Sequence, residues 1–129
     1  MYAGTKIMGR GGVSMKVYSY KGCGTCRKAL KFLEARKTDF ELIAIREQPP
    51  TVAELERMLA AYQGNLRRLF NTSGRDYKDL GIKDKLAKMP VKAALALLSK
   101  NGNLVKRPFV LTAKGGVVGF NPEEWAAVL

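Results

Sequence analysis

Between residues 15 and 45 the apolar positions change their period twice. Met15-Lys16-Val17-Tyr18-Ser19-Tyr20 is a short β-branched and aromatic run that reads as a strand, and Lys21-Gly22 ends it. From Gly24 to Arg36 the apolar residues Ala29, Leu30, Phe32 and Leu33 recur at helical spacing. Asp39 to Ile45 alternates again and reads as a second strand. Strand, helix and strand in that order favour a parallel pair with a right-handed crossover. Ahead of this unit, residues 1–14 contain four glycines and no clear period. They are expected to form a flexible extension, with Met8 and Met15 both suited to be starts.

The middle of the chain has a helical pattern. Pro49-Pro50 is a stop, and Thr51-Val52-Ala53-Glu54 is a capping box, so a helix is expected from Val52 to Tyr62, ending at Gly64. Shorter helical pieces follow at Leu66 to Phe70, around Tyr77 to Leu80 and from Lys83 to Lys88, with a longer one from Val91 to Ser99. Phe109-Val110-Leu111-Thr112 and Val117-Val118-Gly119-Phe120 read as strands, joined by a hairpin at Ala113-Lys114-Gly115-Gly116. A last helix opens at Asn121 or Pro122 and carries Trp125 and Leu129. The order β-α-β, helices, β-β-α describes an α/β protein of thioredoxin-like fold. Its mixed four-stranded sheet takes two parallel strands from the first half and an antiparallel hairpin from the second. An all-helical insertion lies at about residues 51–100 of a single domain spanning residues 15–129.

Composition adjusts this picture in three ways. The 129 residues suit one domain, with 47% hydrophobic and 26% charged residues. No apolar run reaches the length of a membrane span, and the N-terminus lacks the order of a secretory signal, so a cytoplasmic protein is expected. Lys plus Arg number 23 against 11 Asp plus Glu, a formal charge of +12. The basic residues are spread along the chain with little aromatic interleaving, which fits a solvated surface better than direct nucleic-acid binding. Histidine is absent, which removes His-activated nucleophiles and His-based metal sites. The two cysteines alone cannot close an all-cysteine zinc site.

The chemistry therefore concentrates at Lys21-Gly22-Cys23-Gly24-Thr25-Cys26-Arg27-Lys28. A Cys-x-x-Cys pair after a strand and at the start of a helix is a specific arrangement. The free N–H groups and partial positive charge of the helix start favour a thiolate. Cys23 stands where it can ionise, and Cys26 stands three residues on, where it can resolve a mixed disulfide. Arg27 and Lys28 add positive charge. The same helix start, with Gly24 and Thr25, suits an oxyanion, but a Cys-x5-Arg phosphate loop is ruled out because position 29 is Ala29. Arg107-Pro108, entering the Phe109 strand, is a candidate cis peptide, and Arg107 a candidate anion-binding group. Asn71-Thr72-Ser73-Gly74 is a polar turn that could approach a ligand. Tyr18 and Tyr20 share one side of their strand, where core packing is the expected role.

The block Tyr18-Ser19-Tyr20-Lys21-Gly22-Cys23-Gly24-Thr25-Cys26-Arg27-Lys28-Ala29, together with Arg107-Pro108, resembles the ArsC/Spx family of glutaredoxin-type arsenate reductases and Spx-like relatives. Further likeness lies in Leu69-Phe70-Asn71-Thr72-Ser73-Gly74, Tyr77-Lys78-Asp79-Leu80-Gly81 and Val118-Gly119-Phe120. The resemblance implies that Cys23 is the nucleophile that takes up arsenate in the reductases and that Arg107 helps hold the oxyanion. It also implies two further arginines, at positions where this chain has Asn71 and an Arg-free stretch around Phe120. Dedicated reductases of the family tend to lack a cysteine at the Cys26 position. Both departures lean toward the Spx-like branch, in which a Cys-x-x-Cys pair is a redox switch or thiol–disulfide couple and Spx binds RNA polymerase rather than DNA.

The expected function is that of an arsenate reductase-like thiol–disulfide oxidoreductase, with Cys23 and Cys26 catalytic. Gly24, Thr25, Arg27, Asn71, Arg107 and Pro108 are expected around the anion or substrate. No bound cofactor is expected; glutathione, glutaredoxin or thioredoxin would be the reductant, and a thiol donor or protein disulfide the partner. The alternative is a redox-sensing, Spx-like regulator that binds an RNA polymerase subunit.

Overall fold

The computed structural model describes residues 5–7, 15–20, 22–37, 40–113 and 115–128. Thr5–Ile7 is β1, Lys16–Ser19 β2, Gly24–Ala35 α1 and Glu41–Ala44 β3. The insertion follows as α2 (Val52–Ala61), a 3-10 turn (Leu66–Leu69), α3 (Arg75–Asp79), α4 (Ile82–Leu86) and α5 (Val91–Lys100). A second 3-10 turn (Gly102–Leu104) leads into β4 (Phe109–Thr112), β5 (Gly115–Val118) and α6 (Pro122–Val128).

The sheet order is β1-β3-β2-β4-β5. β2 and β3 run parallel with Val17 opposite Leu42, and β4 lies antiparallel to both β2 and β5. These four strands form the mixed sheet of the thioredoxin-like fold. A fifth was not expected. Thr5–Ile7, expected within a flexible extension, pairs antiparallel with β3 at the edge of the sheet. Three residues in a glycine-rich context are too few to show a period of two, so this strand is specified by the free edge of β3 rather than by its own pattern. The rest of the expected extension, residues 1–4 and 8–14, lies outside the described residues.

Alternation along each strand divides the core. Val17, Leu42, Val110 and Val117 face α1 and α6, where they meet Ala29, Leu33, Phe40 and Trp125. Tyr18, Ile43, Phe109, Leu111 and Val118 face the insertion and meet Leu55, Met58, Leu69, Leu95 and Leu98. The insertion is thus the second layer of the domain, covering one whole face of the sheet. Its first helix is capped as the sequence predicts: the Thr51 hydroxyl accepts from Glu54 N–H at 3.2 Å, and Glu54 Oε1 accepts from Thr51 N–H at 3.0 Å. At the far end of the insertion, Gly102 lies against the backbone of β3, where a Cβ would stand 2.0 Å from the Ile45 carbonyl oxygen. Only glycine permits that approach.

Candidate active site

β2 ends at Ser19, and the chain turns so tightly that Cys23 N–H donates to the Tyr20 carbonyl at 3.0 Å. Gly22 enables the turn: a Cβ there would stand 2.7 Å from the Tyr20 ring, which lies beside it. Cys23 is then the N-cap of α1, with extended backbone, and its Sγ accepts from Cys26 N–H at 3.3 Å. A sulfur thus fills the capping role usually taken by Ser, Thr, Asp or Asn. No acidic residue occupies the first turn of α1, so nothing there offsets the positive helix end.

The two thiols are free and differ sharply. Cys23 is half-buried and its pKa is lowered. Burial opposes its ionisation, but the Cys26 thiol and N–H, the charge of Arg107 and a hydrogen bond from Arg107 outweigh it. Cys26 is fully buried, and its thiol is pushed up to about 11. Burial is the main cause; hydrogen bonds from buried Ser19 and the Tyr20 backbone pull the other way, while the Cys23 thiol and its charge raise it further. One sulfur is disposed to be a thiolate and its neighbour to hold a proton.

Arg107 comes from the loop before β4, and the Arg107–Pro108 peptide is cis, as the sequence suggested. Its guanidinium lies 5.1 Å from the Tyr20 ring centroid, while that of Arg46, just after β3, lies 5.0 Å from the same centroid. Arg46 also donates to the Tyr20 hydroxyl at 3.0 Å. The ring gathers two guanidiniums. Tyr20, Arg107 and Arg46 share a cleft of about 200 Å³ with Asn71, Gly74, Arg75, Asp76 and Asn103.

The predicted site residues therefore separate into groups. Cys23, Cys26 and Arg107 come together, and Asn71, on the turn before α3, lines the cleft that Arg107 shares. Pro108 is buried. Gly24 and Thr25 open α1 on its exposed side. Arg27 is exposed on α1, with its guanidinium 3.8 Å from where a Gly24 Cβ would stand, and it does not line the cleft. Sequence reasoning missed Tyr20, Arg46, Arg75 and Asp76. For Tyr20 a signal existed in its place directly before the Lys-Gly-Cys turn; Tyr18, by contrast, is the core residue expected. The two arginines have no such signal, because 46, 75 and 107 converge only in three dimensions.

With this geometry in view, comparison with known proteins is decisive for the family. The ArsC family model matches residues 18–128. The chain belongs to the ArsC family. Similar to this ArsC-family chain is the uncharacterized protein YusI of Bacillus subtilis (strain 168), 39% identical and covering 88% of the chain and 96% of that relative. The regulatory protein MgsR of the same organism is 30% identical, covering 83% of each. The global transcriptional regulator Spx of Enterococcus faecalis is 26% identical, covering 85% of the chain and 82% of the regulator. Among solved structures, an ArsC family related protein from Bacteroides fragilis superposes with a TM-score of 0.85 at 38% identity, covering 91% of the chain and 98% of that protein. A possible arsenate reductase from Streptococcus mutans UA159 gives 0.81 at 32% identity, covering 88% and 98%. Among the described residues of the ArsC-family chain, no helix is long and apolar enough to cross a membrane.

Proposed function

We propose that this ArsC-family chain is a thiol–disulfide oxidoreductase, with Cys23 as nucleophile and Cys26 as resolving thiol. The observation that carries the reading is the contrast between the two sulfurs, one lowered and half-exposed, the other raised and buried. Cys23 thiolate attacks one sulfur of a substrate disulfide, forming a mixed disulfide and releasing the other half as a thiolate. Cys26 then gives up its proton to that leaving thiolate and attacks Cys23 Sγ. The protein disulfide forms and the first half departs. Two thiols of a donor restore the dithiol; glutathione, glutaredoxin or thioredoxin supplies them in the cytoplasm, where thiols are kept reduced.

The arrangement times the second step. Two of the influences that hold the Cys26 proton are the hydrogen bond to the Cys23 sulfur and the Cys23 charge. Both vanish when Cys23 enters a mixed disulfide, whereas the hydrogen bonds from Ser19 and the Tyr20 backbone, which favour a Cys26 thiolate, remain. Cys26 becomes a better nucleophile only when there is something to resolve. Arg107 and the N–H groups that open α1 at Gly24 and Thr25 steady the thiolate or an anionic ligand, with Pro108 setting the loop and Asn71 lining the adjoining cleft.

Steady-state turnover of a small disulfide, a protein disulfide and arsenate, each with a thiol donor, tests this. Disulfide turnover that Cys23→Ser abolishes is the expected result. A second reading, a redox-sensing regulator that binds an RNA polymerase subunit, is favoured by the relatives named as regulators. It would displace the first if no substrate turned over while capture of polymerase subunits changed between the dithiol and disulfide forms.

A further inference from the structure

The insertion carries a second cationic cleft, which shares no lining residue with the one beside Tyr20 and Arg107. It encloses about 230 Å³ beside the 3-10 turn Leu66–Leu69. Leu69 and Phe70 are buried in the core at the end of that turn, which leaves Arg67 and Arg68 exposed. The turn is tied to the loop before β4: Lys106 N–H donates to the Leu69 carbonyl at 2.8 Å, and Asn71 N–H to that of Leu104 at 2.7 Å. Arg67, Arg68 and Lys106 thus line one cavity on segments held together by backbone hydrogen bonds. Arg68 is already engaged, stacking on the Tyr62 ring at 4.4 Å and pairing with Glu124 at 3.7 Å. Arg67 and Lys106 form no ion pair among the described residues. Asn65 and Thr72 line the same cavity with an amide and a hydroxyl, and among the described residues no carboxylate lines it. Like charges converging on one cavity repel unless an anion comes between them. A groove of about 310 Å³ adjoins it, sharing Asn65 and Arg67. Its walls differ in character, with Leu66, Leu86, Ala87 and the ring of Tyr77.

We propose that these adjoining clefts bind an organic phosphate monoester. Its phosphoryl group sits among Arg67, Arg68 and Lys106, and its apolar or aromatic part lies in the groove of Leu66, Leu86 and Tyr77. A carboxylate has one charge and two oxygens, too few for three cations and two neutral donors. A phosphoryl group has about two charges and three strong acceptor oxygens, and guanidiniums contact it through two parallel N–H bonds. Arg67 lines both clefts and so joins recognition of the head to that of the body. A nucleic-acid strand would need cations spaced along a track with bases stacked beside it. Here the cations converge on one end and the other end is mostly apolar, which selects a small ester. The binding is noncovalent, and no thiol takes part.

Isothermal titration calorimetry on the full chain tests this with phenyl phosphate, inorganic phosphate and benzoate, all at one ionic strength because salt screens each of them. Phenyl phosphate should bind about tenfold more tightly than benzoate, the scale of one charge-assisted contact. It should bind severalfold more tightly than inorganic phosphate, which leaves the apolar groove empty. Arg67→Ala and Lys106→Ala should each weaken phenyl phosphate about tenfold, and Leu86→Ala should bring it toward inorganic phosphate. Lys92→Ala, on the exposed side of α5, and Arg107→Ala, which strips a cation from the other cleft, should leave its affinity nearly unchanged. Circular dichroism checks that each variant is folded. Absence of saturable binding, equal affinity for benzoate, or binding that Arg107→Ala abolishes and Arg67→Ala spares would each overturn the proposal. So would tight binding of an unphosphorylated single-stranded oligonucleotide that Arg67→Ala weakens and phenyl phosphate fails to displace. None of these outcomes depends on thiol–disulfide exchange at Cys23.

Discussion

On the face of the sheet that α1 and α6 cover, the core is sealed by aromatic contact. Phe32, Phe120 and Trp125 meet edge to face, with centroids 5.0–5.8 Å apart, and the buried Trp125 indole N–H donates to the Gly119 carbonyl at 2.9 Å. On the insertion face the core is larger and is pinned by polar side chains at its margins. Glu54 accepts from the Tyr18 hydroxyl at 2.6 Å and from Lys16 Nζ at 3.0 Å, while also capping α2. Arg57 reaches the Thr112 carbonyl at 2.7 Å. Apolar contact is nondirectional and sets density, whereas a hydrogen bond with two fixed ends sets register. The first face anchors the helix that carries the cysteines. The second holds α2 in one register against the strands, and the groups that surround Tyr20 stand on its side of the molecule.

That difference can be broken most severely at Trp125. Trp125→Ala should lower unfolding free energy by about 3–5 kcal/mol, as large-to-small core changes do, in urea denaturation followed by circular dichroism. Glu54→Ala should cost about 2 kcal/mol in the same measurement, because it removes a cap and leaves the buried Tyr18 hydroxyl without its acceptor. The pH dependence sharpens the contrast. Burial of Glu54 disfavours its charge, yet Tyr18, the Thr51 N–H and Lys16 together hold its pKa below the ordinary value. A carboxylate depressed in the folded state contributes stability that is present above its unfolded pKa of about 4.3 and is lost as pH falls through the folded value. Stability should therefore drop on acidification below about pH 4.3, and the drop should be shallower in Glu54→Gln. Arg107→Ala should leave stability nearly unchanged and raise the Cys23 titration, followed by thiolate absorbance, toward the free-cysteine value of about 8.5. Tyr62→Phe, which removes both hydrogen bonds of its hydroxyl, should cost about 1–2 kcal/mol in the same denaturation measurement.

Much of this was legible in the residues. The β2–α1–β3 unit declares itself by its two changes of period, and the Thr51–Glu54 box by its spacing. The Cys-x-x-Cys pair at a helix start conveys its chemistry because the helix end is a local electrostatic feature. What was hidden depends on distance in space. β1 is too short to carry a pattern. The capping role of Glu54 could be read, but not its two further bonds to β2, because they join residues 36 and 38 positions apart. For the same reason the sequence led to an expectation of a cation-poor anion site: Asn71 stands where an arginine was sought, while Arg46 and Arg75 reach the cleft from other loops.

Tyr62, at the end of α2, has one more consequence. Its hydroxyl accepts the Val118 N–H at 2.9 Å and donates to Glu124 at 2.9 Å. β5 is an outer strand of the sheet, and outer strands offer unspent backbone groups on which a second chain can build. Here one rung of that ladder is already occupied by a side chain from within, and the opposite margin is a strand of three residues. Among the described residues, one outer strand has a rung filled by a phenol and the other offers three residues, so neither edge presents a long free ladder to a second copy of this strongly basic chain.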